Sequence, residues 1–273
     1  MLTKNNSFTR TGKLLKYELL CSSQVLLPIY GILLLVSVIA YFEQGLNGTF
    51  STNILDNVEA ILAIIFFSVF IAATVLTVVH LINRFKKSMF SDEAYLTMSL
   101  PVTVNNHLVA KLVSSLIWGS LCIIVATLSF FLLFVRYMEI EAIRSFLFNF
   151  FPKVMRDLEI SSIPGFLFSF FICYITGLAE FVLWVYCIMS IGHLFKNHRR
   201  IAQILAAVAI MVVSNNVTQL IFKSLIEMGQ SWDCSLESGF YIFETVFVIC
   251  NLIFSAVYFA VSSFILSRKL NLE

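Results

Sequence analysis

Two acidic residues lie inside apolar stretches of the chain, where an ionisable side chain could do chemistry. Glu180 lies near the middle of one stretch, and Glu244 lies about one turn into another. Charge in such a stretch is costly, so a functional role is the first hypothesis, and Glu180 could line a path or pair with a cation on another span. For Glu180 a protonated, hydrogen-bonded structural role is equally open. Glu244 lies close to the end of its stretch and is expected to reach water.

A second polar group lies in a further apolar stretch, at Ser214-Asn215-Asn216 and Gln219. Hydrogen bonds between helices explain these side chains adequately, and a polar path lining is the alternative. The candidate intramembrane polar residues are therefore Glu180, Glu244, Asn215 and Asn216.

The sequence lacks the motifs of common catalytic, metal and nucleotide sites. Its four His and six Cys residues form no HExxH, CxxC or mixed ligand spacing, and no GxSxG nucleophile motif occurs. His193 is expected to be a solvated interface residue. No GxxxxGK[ST] loop is present, because Gly12-Lys13 lacks the upstream glycine and the following Ser or Thr. We expect no catalysis by this chain, and no metal or cofactor bound to it.

The elements that must position these residues follow from the composition. Of 273 residues, 59% are hydrophobic and 12% are charged. In soluble domains roughly 45–50% of the residues are hydrophobic and about 25% are charged. A water-soluble enzyme is therefore excluded, and a polytopic membrane protein is predicted. The alternating strands of an outer-membrane barrel are absent, so the predicted fold class is all-α. The net charge of +2 gives no basic excess for nucleic acid.

Six stretches have the roughly 20 apolar residues that a helix needs to cross a bilayer. They lie at approximately 25–42, 58–82, 112–135, 163–191, 201–222 and 240–266. The sequence thus predicts a single transmembrane domain over residues 1–273, with Pro28 in the opening turn of the first span. Thirteen of the 18 Lys and Arg residues fall in the two terminal segments and in alternate connections, which predicts that both termini are cytoplasmic.

Residues 1–24 are predicted to carry an amphipathic helix ahead of the first span. Phe8, Leu15 and Leu19 share one face at helical spacing, with basic residues opposite. Such a helix suits the cytoplasmic membrane interface, and a cytoplasmic extension of the first span is the alternative. On the outer side, the apolar run 143–151 is too short to span and is predicted to be interfacial or re-entrant.

The connection between the second and third spans, residues 83–106, holds the most specific pattern. It begins with the basic run Asn83-Arg84-Phe85-Lys86-Lys87, which predicts a cytoplasmic position. Ser91 suits a helix N-cap. Asp92 and Glu93 suit the first turn, where the helix dipole favours negative charge.

This predicted helix covers only residues 91–100. It must stop at Leu100, because the residue before Pro101 avoids the helical region. So short a helix is marginal alone, which favours a docking partner; packing on its own bundle is the alternative. The side chains that it displays are Tyr95, Leu96 and Met98.

The same connection resembles the cytoplasmic loop of ATP-binding-cassette (ABC) type-2 transporter permeases. The resemblance is carried by Glu93-Ala94-Tyr95-Leu96-Thr97-Met98-Ser99-Leu100-Pro101-Val102-Thr103, with Lys111 at the start of the third span. The opening of that family is similar to Gly12-Lys13-Leu14-Leu15-Lys16-Tyr17-Glu18-Leu19. The six spans also match, so the resemblance implies a permease subunit of a bacterial exporter in the cytoplasmic membrane.

In such transporters the loop helix is a coupling helix, which sits in a cleft of a separate cytoplasmic ATPase subunit. By resemblance, the ATPase-coupling residues are Asp92, Glu93, Tyr95, Leu96 and Met98. The implied partners are that ATPase, which would bind ATP and Mg²⁺, and a second permease copy or a similar permease. The resemblance is nearest to small permeases, some of which move or expel antimicrobial peptides, so an amphipathic substrate is expected.

Two other functions stay open at this level. An ion-coupled secondary transporter would use Glu180, although no matching pair of discontinuous helices is evident. A non-transporting membrane scaffold or immunity protein would bind a peptide or a protein without any ATPase.

Overall fold

The computed structural model describes residues 5–46, 53–91, 94, 103–137, 144–145, 148–149, 151–157, 162–195, 198–229 and 236–268. The longer helices in these ranges are α1 (Asn5–Leu46), α2 (Asn53–Phe90), α3 (Val104–Tyr137), α4 (Phe151–Asp157), α5 (Ile163–Gly192), α6 (Arg199–Gly229) and α7 (Leu236–Arg268). All but α4 are long and apolar enough to cross a membrane. The six predicted spans and the all-helical class are therefore confirmed, and the described ranges contain no β-strand.

Five of the six long helices extend beyond their predicted apolar stretches at both ends. The predicted connection 83–106 is shortened, because α2 continues to Phe90 and α3 begins at Val104. The backbone hydrogen bonds of a helix need no apolar side chains, and burial of Phe85 and Met89 stabilises these last turns. The connection is thus only residues 91–103.

α1 is one continuous helix of 42 residues. The prediction of a helix over residues 8–22 is confirmed. The prediction that this helix is separate from the first span is wrong, because residues 8–22 extend the first span as part of the same helix. The reason is local, since no Gly or Pro lies between Gly12 and Pro28 to break the helix. Pro28 lies inside α1 and not in an opening turn, so the carbonyl of Gln24 lacks its usual donor, a loss that membrane helices tolerate.

The chain divides into two compact units. Unit I comprises residues 12–84 and 113–151, and unit II comprises residues 1–11, 85–112 and 152–273. The last turns of α2, the connection 91–103 and the first turns of α3 therefore belong to unit II, although most of α2 and α3 belongs to unit I.

Unit I packs α1, α2 and α3 around a mainly apolar core. The buried members are Leu26, Tyr30, Leu33, Phe66, Ala73, Trp118 and Val125. Tyr30 connects the three helices, because its hydroxyl donates to the Trp118 carbonyl at 3.2 Å and accepts from the Thr77 hydroxyl at 3.3 Å. Near one end of the unit, Arg84 forms an ion pair with Glu18 at 3.0 Å.

In unit II, α5 packs against both α6 and α7. The start of α5 is capped by Ser162, whose hydroxyl accepts from the Gly165 N–H at 3.2 Å, and Pro164 lies in the first turn, where its missing N–H costs nothing. Phe166 of α5 lies beside Phe240 of α7, with ring centres 5.4 Å apart. Further along, Glu180 meets Asn251, so the residue numbers rise together and the two helices run parallel.

Candidate functional site

The predicted docking segment is the short helix over residues 91–100, and the structure describes only Ser91 and Ala94 of it. Asp92, Glu93, Tyr95, Leu96 and Met98 lie outside the described residues, as does most of the run 143–151. Ala94 is fully buried, and its N–H donates to the Ser91 carbonyl at 2.7 Å.

The flank that precedes this segment is fixed to the end of α5 by two stacked ring pairs. The ring of Phe85 lies on that of Tyr186, with centres 3.8 Å apart and 7° between planes. Phe90 lies on His193 in the same way, at 3.8 Å and 2°. Because Ser88 and Met89 between them are also buried, the last turns of α2 are held along the end of α5.

The flank that follows the segment is fixed to the same helix and to α7. The Tyr186 hydroxyl donates to the Lys111 carbonyl at 3.4 Å, so this one side chain contacts both flanks. The Ser263 hydroxyl of α7 donates to the side-chain oxygen of Asn105. Sequence reasoning missed Tyr186, because nothing distinguishes a tyrosine in an apolar stretch from an ordinary core residue.

His193 differs from the solvated residue that the sequence predicts. Its ring is half-buried against Phe90. Burial, with smaller contributions from the charges of Arg199 and Lys86, lowers the His193 pKa to about 4. The imidazole is therefore uncharged at neutral pH, and the positive charge around it belongs to the neighbouring Lys86 and Arg199.

A polar seam joins α5 to α7. The side-chain amide of Asn251, oriented by its neighbours, donates to Glu180 Oε2 at 2.9 Å and to the Phe247 carbonyl at 3.3 Å. Asn251 is only 3% exposed. Glu180 thus has a specific partner on another helix, which the sequence could not identify.

Glu244 is not in the wet position expected of it. Both carboxylate oxygens are shielded from solvent, and neither accepts a hydrogen bond from the described residues. The carboxyl group lies on the α5 side of α7, within electrostatic range of Cys173. Packing between the two helices, and not nearness to the end of the apolar stretch, decides its exposure.

Asn215 and Asn216 lie on an exposed face of α6. The Asn216 amide donates to the Val212 carbonyl of its own helix at 2.7 Å. No hydrogen bond of the described residues joins either asparagine to Glu180 or Glu244. Within the described ranges, no group of three or more His, Cys, Asp or Glu side chains could hold a metal ion.

Comparison with known proteins gives no family for this chain: no family model, curated protein or solved structure matches it. The class of this protein is therefore inferred from its own helices. The six long apolar helices are those of a multi-pass, all-helical membrane protein.

Proposed function

We propose that this chain is the permease subunit of an ABC exporter in a bacterial cytoplasmic membrane. The observation that carries the proposal is the attachment of both flanks of residues 91–103 to α5, through Phe85, Phe90 and Tyr186. A subunit that docks on this connection can pass its movement to α5 through rigid stacked rings, which is what coupling to an ATPase requires.

Two features of the sequence support the same proposal. Residues 93–103 resemble the coupling loop of ABC type-2 permeases, and the chain has no phosphate-binding loop of its own. ATP and Mg²⁺ would therefore be bound by a separate cytoplasmic ATPase, and a second permease copy or a similar permease would complete the path. The proposed substrate is an antimicrobial peptide or another amphipathic molecule.

Co-purification from the native host tests the assignment of the coupling residues. We expect the wild-type protein to retain an ATPase chain and the double variant Tyr95→Arg/Met98→Arg to lose it. Phe148→Arg, which places an arginine at an exposed position of the predicted outer connection, is the matched control. If the ATPase stays bound to a folded double variant, the assignment is wrong.

The proposed orientation places both termini and Ser91 in the cytoplasm and Cys234 outside. A membrane-impermeant maleimide should label a variant that keeps only Cys234 in intact cells. A variant whose only cysteine is Ser91→Cys, at an exposed position, should be labelled only after permeabilisation. The reverse pattern would show that the orientation is inverted.

Ion-coupled transport is a second candidate, favoured by the hydrogen bond between Glu180 and Asn251 inside the apolar part of unit II. It requires substrate transport without ATP, which Glu180→Gln should abolish. Transport in vesicles that contain the permease and an ion gradient but no ATPase would favour this candidate over the first.

A further inference from the structure

A basic and apolar surface lies where α5 ends and α6 begins. We define the inner basic surface as Lys86, Phe195, Arg199 and Arg200. All four side chains are exposed, Phe195 by 54%. Lys86 and Arg199 both act electrostatically on His193, so the cation from α2 and the cation from α6 lie near the same imidazole.

The local backbone holds this surface at the ends of the helices. The N–H groups of Leu194 and Phe195 donate back to the carbonyls of Ile191 and Gly192, at 3.1 and 3.4 Å. α6 begins at Arg199, so a connection of six residues joins two membrane-crossing helices. A link of this length cannot project far from the membrane surface.

The positive charge of the surface has no partner among the described residues. The ion pairs described in this chain are Arg84 with Glu18 and Lys223 with Glu227, and they use none of Lys86, Arg199 and Arg200. The neutral His193 near Lys86 and Arg199 adds no negative charge. Three exposed cations close to the ends of membrane helices are thus available to an anion, as far as the described part of the chain shows.

The surroundings of the cations indicate where that anion comes from. Ile201, Ile204 and Leu205 at the start of α6 are exposed, as is Phe195. No residue in the most apolar part of α6 is buried in the protein. Acyl chains cover such a helix in a bilayer. The cations at its first residues lie where acyl chains give way to headgroups, and basic residues with an aromatic neighbour suit that boundary.

We propose that the inner basic surface binds the phosphate groups of anionic phospholipids in the leaflet that surrounds the α5–α6 turn. Lys86 and Arg199, both near His193, contact the phosphate, Arg200 adds a further contact, and Phe195 packs among the upper acyl carbons. The proposal rests on the membrane-crossing fold and does not depend on the assignment as an ABC permease.

The test compares full-length protein in mild detergent with added phosphatidylglycerol or phosphatidylcholine. Native mass spectrometry counts bound lipids, and thermal unfolding measures the stabilisation. Wild-type protein should retain phosphatidylglycerol preferentially and unfold at a higher temperature with it. Lys86→Gln/Arg199→Gln/Arg200→Gln should bind it up to roughly a hundredfold more weakly, since each of the three surface cations contributes about fivefold.

Two control variants separate charge from folding. Lys153→Gln/Arg156→Gln/Lys223→Gln removes the same net charge elsewhere and should keep the preference for phosphatidylglycerol. Lys86→Arg/Arg199→Lys/Arg200→Lys keeps the charges in place and should also keep it. A Gln triple variant that binds phosphatidylglycerol as tightly as these controls would overturn the proposal.

Two further arms identify other sources of the anion. If inorganic phosphate raises the unfolding temperature as much as phosphatidylglycerol does, the surface is a free-phosphate site and the lipid proposal is wrong. If the Gln triple variant keeps its bound lipid but loses a co-purifying ATPase, the surface docks a protein and the proposal is also wrong. Loss of lipid with the ATPase retained supports it.

Discussion

Single polar side chains join helices of unit II that lie far apart in the sequence. Asn251 of α7 donates to Glu180 of α5 as well as to its own backbone, and Tyr186 of α5 contacts both α2 and α3. Removing one member of such a pair leaves a buried polar group without its partner, which costs about 1–3 kcal/mol. These two residues are therefore where a small chemical change should have a large effect.

Asn251→Asp is expected to destabilise the protein at neutral pH. A second carboxylate would replace an amide nitrogen that lies 2.9 Å from Glu180 Oε2, and like charges at this spacing cannot both ionise. The variant should regain stability as the pH falls and the pair takes up a proton, as measured by thermal unfolding in detergent at several pH values. The swap Glu180→Gln/Asn251→Asp restores one acid and one amide and should unfold close to the wild type. A swap as unstable as the single variant would contradict the pairing.

His193 is expected to titrate in the acid range. Burial is the largest cause of its lowered pKa of about 4, ahead of Arg199 and Lys86. Phe90→Ala, which uncovers the ring, should therefore raise the His193 pKa towards its ordinary value of about 6.5 by more than Lys86→Gln does. Titration of labelled histidine rings by NMR measures both shifts. A larger shift in Lys86→Gln would mean that charge, and not burial, dominates.

We expect His193 to make the stability of the protein depend on pH. Because the His193 pKa is lower in the folded protein than in the unfolded chain, unfolding takes up a proton between these two values. The contribution of His193 is complete above about pH 6.5 and is lost as the pH falls towards about 4. His193→Gln should lose less stability over this range than the wild type in chemical or thermal unfolding. Equal losses in both proteins would assign the acid sensitivity to other groups.

At the scale of the helices, hydropathy predicts where they cross the membrane but not where they end. The six crossings follow from apolar runs of roughly 20 residues. The extension of α2 to Phe90 does not, because the partners of Phe85 and Phe90 lie on α5, at Tyr186 and His193. Long-range packing of this kind leaves no periodic signal in the residues 83–90 themselves.

For the polar residues too, the sequence indicates an unusual side chain but not its partner. Glu180 stands out in the sequence because an acid is rare in an apolar stretch, but many polar side chains could have been its partner. Asn251 is chosen by the parallel register of α5 and α7, which only the folded chain defines. The burial of the Glu244 carboxylate oxygens depends on that packing too, so a rule based on distance from the end of the apolar stretch gave the wrong exposure.

The turn between α5 and α6 requires glycine at position 192. A Cβ atom there would overlap Gln203 Cγ and lie 2.9 Å from Cδ, so Gly192→Ala should destabilise the protein by about 1–3 kcal/mol through overpacking. Gly31→Ala is the matched control, because its Cβ would meet nothing within 4 Å and alanine favours a helix by up to about 1 kcal/mol. Thermal unfolding should separate the two variants. Adding Gln203→Ala should rescue Gly192→Ala, and a failed rescue would place the strain elsewhere.

At the scale of the whole molecule, the units do not follow the order of the chain. The first three long helices supply most of unit I, yet residues 85–112 belong to unit II with residues 152–273. The proposed coupling connection, residues 91–103, lies within residues 85–112. A force applied at residues 91–103 would therefore act first on the packing of unit II.

This arrangement predicts that the chain survives a cut between its halves. Fragments 1–145 and 146–273, divided after the exposed Ser145, should co-purify when they are co-expressed, because residues 85–112 of the first fragment complete a unit with the second. Phe85→Ala/Phe90→Ala should reduce the recovered second fragment strongly, since truncating a buried Phe costs about 3–5 kcal/mol. Phe131→Ala, at an exposed position of α3, should leave recovery unchanged. Equal recovery in the two variants would mean that the stacked rings do not hold the halves together, and it would remove the structural basis for coupling through α5.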